Sequence, residues 1–329
     1  MRKIAVVGAS GLVGREIVRL CESFFDEEVE YIFYASERSA GSPITINNKE
    51  NTIKLLSIEN IGEVDLALFS AGGERSREFA QSFLDKGAYV VDNSSAFRLE
   101  KEVPLVVYGV NEKILSNNTR LIANPNCTTM ILIMALKPMH DAFDLQEIVP
   151  TSYQAVSGSG LEATESLKRE NELGDRLNAH YTDGYYGKPI ANNVIPLAGS
   201  LTDNDYSDEE MKFVNESRKI LEISNLVVEP SNARVGVKTG HGIFCSATFR
   251  EEINLEKVIE SIKNHKGIEY WNDELPTPLD AEGSHAVYIS RLRQGLSNNK
   301  VINFWVVGDN LLKGAALNAV QIGKYVLSL

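Results

Sequence analysis

The fold turns on Ile4-Ala5-Val6-Val7-Gly8-Ala9-Ser10-Gly11-Leu12-Val13-Gly14, close to the N-terminus. The apolar run Ile4–Val7 predicts a strand, and Leu12–Cys21 carries helical spacing. Three glycines at G-x-x-G-x-x-G spacing join the two. Such a turn tolerates positive φ and lets main-chain N–H groups at the helix start approach a pyrophosphate. The commoner spacing is G-x-G-x-x-G, but strand, loop and helix come in the order that a dinucleotide site requires at its first βα turn. Gly8, Ser10, Gly11, Leu12, Val13 and Gly14 are the candidate cofactor contacts.

Outward from this loop the pattern repeats. Tyr31–Ala35, Leu66–Ser70 and Tyr89–Val91 read as further strands, and Glu74–Lys86 as a helix closed by Gly87. Alternating strands and helices mean βαβ units, an α/β class and a mostly parallel sheet. The second strand ends in Ser36-Glu37-Arg38-Ser39. An acidic residue there favours NAD through the ribose 2′-OH, whereas Arg38 flanked by Ser36 and Ser39 suits the 2′-phosphate of NADP. Glu37 argues the other way.

Residues 127–308 read differently. A helix over Thr128–Lys137, stopped by Pro138, leads to a strand at Ile148–Gln154 and a long polar helix from Leu161. Strand-like runs follow at Leu226–Val228, Ile243–Phe249, Ala286–Arg291 and Val301–Val307, which predicts an α+β domain with an antiparallel or mixed sheet. The last segment, Leu311–Leu327, has helical spacing and is expected to pack back on the first domain. The expected division is 1–126, joined by 310–329, and 127–309.

A chain of 329 residues has room for two domains at roughly 150 residues each. With 43% hydrophobic and 24% charged residues it is not a disordered chain. The net charge of −12 argues against nucleic acid as a partner, so an anionic substrate must be met by local arginines and lysines. Cys21, Cys127 and Cys245 form no C-x-x-C pair, which reads as a reducing compartment. The longest apolar run, Met130–Leu136, is far shorter than the roughly 20 residues that span a bilayer. The N-terminal apolar stretch ends at Gly8, too soon for a signal sequence. The expected location is the cytoplasm.

Asn124-Pro125-Asn126-Cys127-Thr128-Thr129 precedes a strongly apolar helical run. Cys127 thus stands at a helix start, where unpaired N–H groups favour thiolate over thiol. Cys21 and Cys245 lie inside amphipathic segments and read as core residues. No two of the five histidines pair at H-x-x-x-H spacing, so metal catalysis has no support. His241 follows Arg234 by seven positions, and a strand–glycine turn–strand reading brings a cation and a proton carrier to one mouth.

Together these segments resemble the bacterial aspartate-semialdehyde dehydrogenases. The likeness rests on Gly8–Gly14, Ser36–Gly41 and Asn124–Thr129. It extends through Tyr153-Gln154-Ala155-Val156-Ser157-Gly158-Ser159-Gly160, Arg234…Gly240-His241 and Asp309-Asn310-Leu311-Leu312-Lys313-Gly314. The resemblance implies an N-terminal Rossmann-like dinucleotide-binding domain and a second α+β catalytic and dimerisation domain, working as a homodimer. Enzymes of the family reduce aspartyl 4-phosphate with NADPH to aspartate semialdehyde and phosphate, on the route to lysine, threonine, methionine and diaminopimelate.

It further implies Cys127 as the acylated nucleophile, His241 as acid/base and Gln154 as the group orienting substrate and thioester. Arg234 would hold the α-carboxylate, Glu209 the amino group, and Lys212 and Arg98 the phosphate, with Asn126 nearby. Ser157, Gly158 and Asn310 would be further cofactor contacts. In one departure, Gly236 stands where the family usually has proline; Gly236→Pro is then expected to change little if the strand is already rigid. Gly242 stands where serine is common. Two other readings are an N-acetylglutamyl-phosphate reductase-like enzyme and an inactive relative that only binds NADP.

Overall fold

Ile4–Val7 are fully buried and form most of strand β1 (Lys3–Val7), after which the chain turns at Gly8 into helix α1 (Leu12–Phe24). The computed structural model describes residues 1–25 and 28–329. These fall into two units, 1–126 with 315–329 and 127–314.

The first unit continues with β2 (Glu30–Ala35), the hairpin β3 (Pro43–Ile46) and β4 (Lys49–Thr52), β5 (Lys54–Leu55), β6 (Leu66–Phe69), α2 (Gly73–Leu84), β7 (Tyr89–Asp92) and β8 (Leu121–Ala123). Its main sheet is wholly parallel, in the order β5-β2-β1-β6-β7-β8. Strand order reverses at β1, and ligands of such sheets bind outside the carboxyl ends at that reversal. The glycine loop lies there. The β3–β4 hairpin left little trace in the sequence. Its turn is Asn47-Asn48, both at positive φ (50° and 57°), and its strands are short and mostly exposed.

The second unit runs α3 (Cys127–Phe143), β9 (Leu145–Gln154), α4 (Leu161–Leu173), β10 (Val194–Ile195), α5 (Asp208–Leu221), β11 (Val227–Val228), β12 (Ser231–Val235), β13 (His241–Phe249), α6 (Leu255–Lys263), β14 (Ile268–Tyr270), α7 (Pro278–Ala281), β15 (Val287–Gln294) and β16 (Val301–Gly308). The sheet is mixed: β9 pairs parallel with β11 and β12 and antiparallel with β13. Helix α3 packs along the sheet and corrects the expected stop at Pro138, because it continues through that proline to Phe143. An interior proline costs about 3 kcal/mol. Beyond the proline, Met139 and Phe143 are buried, and each such side chain contributes about 1.5–3 kcal/mol. Their burial matches or exceeds the proline's cost, so the helix continues.

The chain closes with a π turn (Leu312–Ala316) and α8 (Leu317–Val326). Helix α8 packs on α1, β6 and β7. Gly323 lets it approach: a Cβ there would stand 2.7 Å from Leu66 Cδ2. Asn318 ties the helix down, donating to the Val106 carbonyl and the Asn124 side chain at 2.9 and 2.6 Å. No described helix is long and apolar enough to cross a membrane.

Candidate active site

The glycine loop is held by main chain. Gly8 has φ +89°, and its N–H donates to the Tyr34 carbonyl at 2.8 Å. A Cβ at Gly8 would lie 2.3 Å from the Ser70 carbonyl oxygen, and one at Gly14 would lie 2.0 Å from the carbonyl oxygen of Gly8. Both distances are far inside contact, so these glycines are required by close approach. Gly11 is different, with only an ordinary 3.5 Å contact. No side chain caps α1 at Gly11, which leaves the first N–H groups available beside Ser10, Leu12 and Val13. This cradle fits a dinucleotide pyrophosphate.

At the end of β2, Ser36 and Ser39 are half-buried and Arg38 is exposed. Ser36 and Arg38 border a cleft of about 580 Å³, to which Arg75 from α2 also contributes. Arg98 is buried in the same unit. Its guanidinium donates to the carbonyls of Asn124 (2.8 Å) and Asn93 (2.9 Å). Asn126, also buried, closes this unit.

In the second unit Cys127 is the first residue of α3 and half-buried. Gly314 lies against it, since a Cβ there would come 2.9 Å from Cys127 Cβ. Cys21 and Cys245 are fully buried, and burial pushes both thiols far up, with Glu22 adding to the effect on Cys21. Burial thus disfavours the thiolate form of both.

The sheet gathers the other side chains at one end. Gln154 ends β9, with Arg234 of β12 paired to it on one side. On the other side β13 runs antiparallel with Gly242 opposite Tyr153, which brings His241 beside Gln154. Ala155 then fixes two of them with one residue's backbone: its N–H donates to His241 Nδ1 (3.0 Å), and its carbonyl accepts from Arg234 Nη1 (2.8 Å).

A ring nitrogen that accepts an N–H carries no proton, so neutral His241 bears its hydrogen on Nε2. Burial, and then the Arg234 cation, hold its pKa well below the usual histidine value, while the Gly240 carbonyl pulls weakly the other way. His241 Nε2 and Arg234 Nε are buried and make no hydrogen bond among the described residues. Gly158 covers them. A Cβ on it would stand 3.2 Å from His241 Nε2 and 3.3 Å from Arg234 Nη1.

Gln154 donates to Ser152 Oγ at 3.3 Å. Asn310 fastens two turns: its amide donates to Ser157 Oγ (2.9 Å) and its oxygen accepts from the Gly240 N–H (2.8 Å). Helix α5 begins with a Ser207–Glu210 capping box, and Asn232 ties it to β12 by donating to Ser207 Oγ at 2.7 Å. This places Glu209 in the first turn and Lys212 at the start of the second turn of a helix tied to Asn232, two residues before Arg234. Lys212 bonds both Glu209 and Asp208. Burial lowers its pKa, but those two carboxylates outweigh burial and the net shift is upward.

Two residues escaped sequence reading. Glu170 of α4 is fully buried, accepting from the N–H groups of Ile190 (2.6 Å) and Ala191 (2.9 Å). Its signal was positional: Ala163, Ser166, Leu167 and Glu170 form one buried face of a polar helix. Tyr186 lies near Arg234, with its ring centroid 5.8 Å from the guanidinium carbon.

Residues 3–118 match the semialdehyde dehydrogenase NAD binding domain, and residues 136–313 match the semialdehyde dehydrogenase dimerisation domain. Aspartate-semialdehyde dehydrogenase from Corynebacterium melassecola is 41% identical over 99% of this chain and 100% of its own length. The chain belongs to the aspartate-semialdehyde dehydrogenase family. The Aquifex aeolicus relative is 38% identical over 99% of this chain and 98% of its own. Aspartate semialdehyde dehydrogenase II from Vibrio cholerae, whose structure was solved as a complex with ASA, superposes with a TM-score of 0.93 at 36% identity. That match covers 100% of this chain and 98% of the other. Like its family, this chain is an oxidoreductase of amino-acid biosynthesis with an NAD(P)-binding domain.

Proposed function

We propose that the chain catalyses the NADPH-dependent reductive dephosphorylation of L-aspartyl 4-phosphate to L-aspartate 4-semialdehyde, through an acyl group on Cys127. The observation that carries this reading is the pair of unused buried donors, His241 Nε2–H and Arg234 Nε–H, at the sheet end that also holds Gln154. Arg234 offers a planar fork to the α-carboxylate. Glu209 takes the amino group, while Lys212 and Arg98, with Asn126, take the phosphate.

Cys127 Sγ, favoured as thiolate by its helix start, attacks the acyl carbon. Cations on the phosphate oxygens favour departure of inorganic phosphate, leaving a thioester that Gln154 orients. NADPH, when bound at Gly8–Gly14, Ser36, Arg38, Ser39 and the Ser157–Gly158 and Asn310 turns, supplies the hydride. The Nε2–H of His241 donates to the acyl oxygen as that oxygen gains charge. The carbonyl re-forms, the C–S bond breaks, and Cys127 leaves as thiolate.

Under this reading residues 1–126, with the C-terminal helix, form the cofactor-binding domain, and Ser157, Gly158 and Asn310 add contacts from outside it. Residues 127–309 carry the catalysis and the homodimer contact, in the cytoplasm. The test is NADPH formation from aspartate semialdehyde, NADP and phosphate, omitting each in turn. Turnover should require all three. Turnover without phosphate overturns the acyl-phosphate chemistry, and faster turnover of N-acetylglutamate semialdehyde favours the related reductase.

A further inference from the structure

Arg75 occupies the first turn of α2, where the helix macrodipole disfavours a cation. It makes no ion pair among the described residues, and neither does Arg38, which borders the same cleft. The two arginines come from separate elements, the turn after β2 and the start of α2, and border the same space of about 580 Å³. Ser36 and Ser57 contribute hydroxyl-bearing residues to that lining, and Glu37, Glu59 and Glu78 contribute carboxylates.

The charge balance decides what Arg75 does. With Arg38 alone, the three carboxylates leave the cleft two charges negative, a poor place for a phosphate dianion. Arg75 removes one of those charges and gives the anion a second guanidinium, from a separate element. Arginine suits this task because its planar donors match phosphate oxygens two at a time.

We propose that Arg75 is the second arm of a two-arginine clamp on the 2′-phosphate of the cofactor, and so a determinant of NADP over NAD. This rests on the NADP reading given above. Glu37 sharpens the selectivity: without a 2′-phosphate its carboxylate can accept from a ribose 2′-OH, so losing either arginine moves the site towards NAD.

The test uses two ligands that differ only in the 2′-phosphate, adenosine 2′,5′-bisphosphate and 5′-AMP, titrated calorimetrically into the intact protein. Arg75→Ala should weaken the bisphosphate about tenfold and leave 5′-AMP unchanged, as expected when one charge-assisted contact is lost. Arg38→Ala is the control and should behave alike. Equal weakening of both ligands by Arg75→Ala, or no weakening of either, overturns the clamp. A wild-type protein that does not distinguish the two ligands overturns the NADP reading itself. Arg75 is exposed, so folding of the variant is secured by the position, and thermal melting verifies it.

Discussion

Around Gly8 the groups that face a ligand are main-chain N–H donors, and the side chains there are absent because backbone atoms occupy their space. Around His241 the ligand-facing groups are buried side chains, aimed by single hydrogen bonds from the Ala155 backbone. In the proposed function the first region selects shape and negative charge and takes no part in the chemistry. The second holds proton and charge donors whose unused atoms are kept from water. Substitutions should therefore fail for steric reasons in the first region and for chemical reasons in the second.

The largest effect expected is at Cys127. Cys127→Ala should remove acylation while the helix it starts still packs, because Met130–Leu136 hold α3 in place. Loss of a nucleophile has cost on the order of 10⁶ in kcat in another enzyme. Near-wild-type turnover in a folded Cys127→Ala protein would falsify its role.

Gly14→Ala tests the steric half. Its Cβ would meet the Gly8 carbonyl oxygen at 2.0 Å, and backbone cannot swing aside as a side chain can. Overpacking of this kind costs about 1–3 kcal/mol, and the loop should lose cofactor affinity as well. Gly11→Ala meets only a 3.5 Å contact and should be mild. Melting temperature and cofactor titration on the pair separate the cases; equal damage at both positions contradicts the geometry.

This contrast explains what could be read from sequence. Gly8, Gly11 and Gly14 lie within one turn, so the strand–loop–helix order exposed the cofactor region directly. Gln154, Arg234 and His241 are brought together by strand pairing across a mixed sheet, and no local pattern encodes that register. The joint role proposed for them rests on family resemblance rather than on spacing. Pro138 is a poor guide to the helix end because local propensity does not encode how deeply α3 is buried. Glu170 shares the buried Ala163–Ser166–Leu167 face of α4, but a glutamate on a largely polar helix does not by itself show that this face is covered.

Arg234→Lys probes the chemical half at smaller cost. A lysine cannot form two parallel contacts to a carboxylate, and charged hydrogen bonds contribute about 1.5–3 kcal/mol each. The ratio kcat/KM for aspartate semialdehyde should drop by roughly tenfold to several hundredfold. An enzyme within about threefold of wild type removes Arg234 from the carboxylate. Gly236, two residues on, revises the sequence expectation. A Cβ there would stand 2.5 Å from the Ile190 carbonyl oxygen, in the segment that Glu170 anchors. Gly236→Pro should therefore raise KM by displacing Arg234, not pass unnoticed; an unchanged KM shows that the segment yields.

The smallest effect is on stability, and it comes from His241. Burial first, then Arg234, hold its native pKa well below the ordinary histidine value, so the native ring stays neutral where an unfolded one takes up a proton. Near pH 7 both states are neutral, and the buried ring imposes no pH dependence. As pH falls through about 6.5 the unfolded state binds a proton that the native state refuses, so stability is lost towards acid. The slope from this one group approaches about 1.4 kcal/mol per pH unit, until the native pKa is reached. His241→Gln keeps a side chain that can accept the Ala155 N–H but cannot titrate. Urea midpoints measured at pH 7.5 and 5.5 should therefore fall further in wild type than in the variant. Parallel falls mean that His241 protonates in the native state as readily as in the unfolded one, and the neutral Nε2–H donor assigned to it then fails.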